Sequence, residues 1–84
     1  MDILWDKSAW DDYQFWINND RKVLQKINSL IKECQRTPFD GIGKPEPLKA
    51  TLTGWWSRRI NDADRMVYRG DRTTIEIASL RYHY

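Results

Sequence analysis

The chain has 84 residues, with 14 Lys/Arg against 12 Asp/Glu and a net charge of +2, which limits residues 1–84 to one small domain with a modest core. One cysteine excludes an internal disulfide and a multi-Cys zinc site and fits a reducing cytoplasm, and no long apolar run or leader opens the chain, so neither secretion nor membrane insertion is expected. Residues 1–42 sum to −1 and residues 43–84 to +3, so the second half is the one a polyanion would approach.

Ile3-Leu4-Trp5 is an apolar run suited to an opening strand. Ser8 stands where an N-cap would, and Trp10, Tyr13 and Ile17 recur at helical spacing, which predicts a helix over residues 9–18. Asn18-Asn19-Asp20 breaks it, and Asp20 can cap a second helix. Val23, Leu24, Ile27, Leu30, Ile31 and Cys34 form one apolar stripe there, with Lys22, Lys26, Lys32 and Glu33 off it. On that stripe Cys34 reads as a buried thiol. Thr37-Pro38 ends the helix, because the residue before proline avoids helical angles. Residues 38–54 hold three prolines and three glycines and read as a long connection with little regular structure.

The period then changes to two. Residues 55–60, 65–69 and 74–84 read as strands, with turns at Asn61-Asp62-Ala63-Asp64 and Gly70-Asp71-Arg72. Near neighbours joined by short turns pair antiparallel. The order predicts an α+β fold, with an N-terminal strand and two helices packed on one face of a twisted, mainly antiparallel sheet.

Three kinds of residue could carry chemistry. Pro45 and Pro47 stiffen the backbone around Glu46, so its carboxylate loses little entropy when positioned as a general base; the alternative is an exposed loop glutamate. Arg58, Arg59, Arg65, Arg69 and Arg81 offer guanidinium forks that match phosphate oxygens, although a solvated strand face suits each of them singly. Whether Arg59 and Arg65 share a face depends on the hairpin register. Arg81 and His83 share a face with Ile75, Ile77 and Ser79 if the last strand stays regular. His83 is the only histidine, one residue from the end of the sequence, and reads either as a proton-transfer group or as the last surface residue of a strand. Together, a base, a fixed cation and an acid are what metal-free RNA transesterification needs, and Tyr82 and Tyr84 could stack on an unpaired base.

Several blocks carry a resemblance: Trp10-Asp11-Asp12-Tyr13, Arg36-Thr37-Pro38-Phe39, Gly43-Lys44-Pro45-Glu46-Pro47-Leu48, Gly54-Trp55-Trp56-Ser57-Arg58-Arg59-Ile60, Arg65-Met66-Val67-Tyr68 and Arg81-Tyr82-His83-Tyr84. They run over nearly the whole sequence. The chain resembles the YoeB (Txe-like) toxins of the RelE/ParE toxin–antitoxin superfamily. The resemblance implies a microbial-ribonuclease-like α+β fold and an endoribonuclease that cuts mRNA in the ribosomal A site, stopping translation without a metal or other cofactor. It implies Glu46 as general base, His83 as general acid and Arg65 as transition-state stabiliser. Lys49, Arg59 and Tyr84 are implied as supporting residues, and Lys44 and Arg81 are taken as further substrate contacts. It also implies a YefM-like antitoxin, operator DNA bound only through the toxin–antitoxin complex, and homodimers. Two alternatives remain: a toxin of the same fold that binds a protein such as gyrase, and an RNA-binding module without nuclease chemistry.

Overall fold

The computed structural model describes residues 1–82; His83 and Tyr84, and the expectations that fall on them, lie outside the described residues. Helix α2 (Arg21–Arg36) forms where the apolar stripe requires it. The Asp20 carboxylate caps it, accepting from the backbone N–H groups of Lys22 and Val23 at 3.1 and 3.2 Å. Ile27, Leu30, Ile31 and Cys34 are buried on its inner face, and each fully buried aliphatic side chain there contributes roughly 1.5–3 kcal/mol. Helix α1 spans Lys7–Asn19, so it starts two residues before the predicted one. Its N-cap is Asp6, which makes no side-chain capping bond, and Ser8, now inside the first turn, donates its hydroxyl to the Ala78 carbonyl at 2.7 Å.

Five strands form one sheet in the order β1 (Asp2–Trp5), β5 (Thr74–Ser79), β4 (Arg65–Gly70), β3 (Trp56–Arg59) and β2 (Glu46–Pro47). β1 pairs parallel with β5, and the other pairs are antiparallel. The α+β expectation holds: both helices cover one face, where Met66, Tyr68, Ile75 and Ile77 meet Ala9, Trp16 and the stripe of α2. The opposite face has no helix over it.

One expectation is refined and one is corrected. Residues 38–54 do hold little regular structure, but within them Glu46 and Pro47 pair with Ser57 and Trp56 as an edge strand, followed by a single 3₁₀ turn at Ala50–Leu52. Proline is tolerated there because an edge strand has one row of backbone groups with no neighbour to serve. The last strand does not run from 74 to the end but stops at Ser79. Val67 faces Ser79 while Tyr68 faces Ile77, so Ala78 is an extra, bulged residue. The bulge reverses the alternation, and burial passes from Ile75 and Ile77 to Leu80. Arg81 lies beyond the strand, so the alternation that would have set it with Ile75 and Ile77 does not reach it.

Candidate active site

Strand register decides which of the candidate residues meet. Arg59 pairs directly with Arg65 across the β3–β4 hairpin, so the two share a face. Ser57 pairs with Val67 on one side and Glu46 on the other, and it lies two residues from Arg59 on the same face. Glu46, Arg59 and Arg65 thus stand together on the open face. Directly opposed side chains have Cβ atoms about 4.5–5.5 Å apart, and diagonal neighbours such as Glu46 and Arg59 are about 7–8 Å apart. Opposed like charges weaken a sheet, and two guanidinium groups kept there suit an anion between them.

Each side chain has a distinct setting. Glu46 is exposed, and Leu48 extends its strand pairing by donating its N–H to the Trp55 carbonyl at 2.9 Å. Arg59 is exposed, and its N–H donates to the Gly43 carbonyl at 2.7 Å. Arg65 is half-buried. Its Nη1 donates to the carbonyls of Asn61 and Asp64 at 2.6 and 3.0 Å, with a longer contact to Asp62. That tie fixes the direction of the guanidinium, and among the described residues its Nε and Nη2 make no hydrogen bond. Lys49 heads the 3₁₀ turn three residues beyond Glu46, and Lys44 lies two residues before it; both are exposed.

The segment leading to His83 is anchored residue by residue. Leu80 donates its N–H to Asp12 Oδ2 at 2.9 Å, and its carbonyl accepts from Trp16 Nε1 at 2.9 Å. Arg81 lays its guanidinium over the Phe15 ring, 3.6 Å from the centroid, and also faces the Tyr82 ring at 4.8 Å. Tyr82 donates its N–H to Asp64 Oδ1 at 2.7 Å, and its carbonyl accepts from the Arg65 N–H at 2.9 Å. The residue preceding His83 is therefore tied to the Arg59–Arg65 end of the open face.

Sequence reasoning missed the role of Arg58, treating it like the other arginines as a residue of a solvated face. It is fully buried. Nε donates to the Tyr68 hydroxyl and Nη1 to the Ile42 carbonyl, both at 3.1 Å, while Nη2 donates to the carbonyls of Thr37 and Asp40. The Tyr68 hydroxyl in turn donates to the Pro38 carbonyl. Among the described residues no carboxylate takes part, so carbonyl dipoles solvate the charge. Arg58 thereby shapes the 37–42 loop that leads into Lys44-Pro45-Glu46. Its signal was in the sequence: it shares strand parity with Trp56 and Ile60, the apolar face. Asp64 and Asp12, which hold the terminal segment, carried no comparable signal, because their partners are far away in the chain.

Among the described residues no three His, Cys, Asp or Glu side chains gather in a way that could hold a metal ion, and no helix is long and apolar enough to cross a membrane. Burial pushes the Cys34 thiol up to about 11, in keeping with a structural thiol.

A family model described as the YoeB-like toxin of bacterial type II toxin–antitoxin systems matches residues 5–84. The chain is 50% identical to the toxin YoeB of Escherichia coli K12 over 84 residues, covering all of both proteins. It is similar in structure to a YoeB/ParE toxin from Agrobacterium tumefaciens, with a TM-score of 0.96, 49% identity and full coverage of both chains. It is also similar to the YoeB of Staphylococcus aureus, solved as a dimer (TM-score 0.94, 47% identity, 100% and 98% covered) and as a heterotetrameric complex with the antitoxin YefM (0.92, 47%, 100% and 98%). By sequence and by fold, the chain belongs to the YoeB-like toxin family of bacterial type II toxin–antitoxin systems.

Proposed function

We propose that this toxin is a metal-free endoribonuclease, a single domain over residues 1–84, that cuts mRNA in the ribosomal A site. The observation that supports this most is the register that gathers Glu46, Arg59 and Arg65 on the uncovered sheet face, with Tyr82 tied to Arg65. In the reaction the Glu46 carboxylate takes the proton of a ribose 2′-hydroxyl. The freed oxygen attacks the adjacent phosphorus, forming a 2′,3′-cyclic phosphate as the bond to the 5′-oxygen breaks. His83 gives its proton to that leaving oxygen. Arg65, its Nη1 already held by the turn carbonyls, turns its remaining N–H groups to the charge growing on the phosphoryl oxygens. Arg59, Lys49, Lys44, Arg81 and Tyr84 hold the substrate. A YefM-like antitoxin inhibits the toxin, the pair of proteins contacts operator DNA, and the toxin forms homodimers in the manner of the S. aureus relative.

The test is tightly controlled expression in bacteria, with growth and transcript ends followed together. Growth arrest with messages cut within codons occupied by ribosomes is expected, and both effects should vanish in Glu46→Gln and His83→Ala. Intact messages beside arrested growth and damaged DNA would sink the nuclease reading in favour of a protein target.

A further inference from the structure

The three ion pairs among the described residues, Lys7–Asp11, Arg36–Glu33 and Arg69–Glu76, at 2.9, 3.5 and 2.8 Å, all lie outside one surface cleft. That cleft, of about 260 Å³, is lined by Lys26 of α2, Gly43 and Lys44 of the loop, and Arg59 and Asp62 of the hairpin. None of its three cations has an ion-pair partner among the described residues. The fold drives them together. Gly43 takes φ of 83°, and a Cβ there would stand 2.7 Å from Leu30 Cδ2 and 3.2 Å from Arg58 Cβ. The loop is thereby wedged between α2 and β3, and the Arg59 N–H fastens it at Gly43. Lys44 follows at φ of 50°, a left-handed conformation that a lysine adopts only when its surroundings impose it. Three cations against one carboxylate, Asp62, which pairs with none of them among the described residues, leave the cleft net positive, and such a cleft concentrates its field on an incoming anion.

We propose that this cleft seats a backbone phosphate of single-stranded RNA as the strand leaves the open face across Arg59, with Lys26 as a phosphate ligand supplied by α2. The proposal rests on the ribonuclease reading for the identity of the polyanion. Arg59 belongs to both places, on the open face beside Arg65 and on the wall of the cleft, so one strand can engage both without a gap. Lys26 binds here as a point charge, and the contact carries no sequence preference.

Fluorescence anisotropy with a 2′-O-methyl RNA oligonucleotide, which binds but has no 2′ nucleophile, separates binding from cleavage. Each phosphate neutralised on a single strand adds about 0.7 to the slope of log K against log salt, so Lys26→Gln should flatten the slope by that amount and weaken binding about fivefold at ~0.1 M salt. Lys26→Arg should restore both. Lys32→Gln, on the same helix outside the cleft, should change neither. Identical affinity and slope for wild type and Lys26→Gln overturns the cleft, even if the wild type cuts mRNA. So does a Lys26→Gln protein that binds RNA normally but loses an acidic antitoxin peptide. A wild type that fails to cut mRNA, yet loses RNA affinity on Lys26→Gln, keeps the cleft and removes the nuclease reading.

Discussion

Arg58 and Arg59 are consecutive residues of one strand, and the pleat sends them to opposite faces. Arg58 enters the covered face, where carbonyls of the 37–42 loop and the Tyr68 hydroxyl use its N–H groups. Arg59 stands on the open face opposite Arg65, with its charge free for a ligand. The same side chain thus holds a loop in one setting and is available to an anion in the other. The lesson is that charge on a strand has no meaning until the face is known, and that stability and activity can be probed on two faces of one hairpin.

The largest expected effect belongs to the open face. Glu46→Gln should lower the mRNA cleavage rate about 10²–10⁴-fold, the usual worth of a proton-transfer group, without moving the thermal midpoint. A shift of midpoint with unchanged turnover would reverse the assignment of the two faces. On the covered face, Arg58→Met leaves the carbonyls of Thr37, Asp40 and Ile42 and the Tyr68 hydroxyl short of partners. It should cost about 3–5 kcal/mol in urea denaturation. Arg58→Lys should recover only part of this, because an ammonium lacks the fork that reaches partners on several sides.

Alkaline titration sharpens the contrast, because the covered face also holds two buried acids in neutral form. Burial pushes the Cys34 thiol from 9.0 up to about 11 and the Tyr68 hydroxyl from 10.0 up to about 12. The folded state keeps these protons when the unfolded state has lost them. Their contribution is therefore complete below pH 9 and is lost as pH rises from about 9 to 12, a fall on the order of a few kcal/mol. Denaturant melts at stepped pH check this, and Cys34→Ala should delay the onset. Smaller effects lie away from Arg58 and Arg59. Asp20→Ala removes the cap of α2 and should cost about 1 kcal/mol by thermal melting. Glu76→Gln breaks the exposed pair with Arg69 at the far end of the open face and should cost less than about 1 kcal/mol, falling further with added salt.

Much of this could be read from local pattern. The stripe from Val23 to Cys34 and the cap at Asp20 are short-range signals, and α2 forms where they place it. Strand periodicity located β3 and β4, and the five-residue spacer between Arg59 and Arg65 allowed the register that aligns them. What the pattern did not hold was any long-range pairing. Nothing local to Glu46 indicates that Ser57 is its partner. The bulge at Ala78 has no side-chain signature, so the strand seemed to run on when it ends at Ser79. Arg58 was legible by parity but hidden by its charge. The candidate site was therefore visible as residue types and invisible as geometry, because its residues lie far apart in sequence and the sheet alone brings them together.

The parallel pairing of β1 with β5 has a consequence for how the protein comes into being. Asp2 sits opposite Thr74 and Ile3 opposite Ile75, so the first strand is synthesised long before its only neighbour in the sheet. Two helices and three other strands must emerge first. Until then β1 is a bare edge with an unfilled row of backbone donors and acceptors, and closing so long a loop slows the final docking step. Since the Asp6 N–H bonds the Ile77 carbonyl and Ser8 bonds Ala78, the start of α1 settles only when β5 arrives. A nascent copy therefore cannot seat its first strand until β5 has been made.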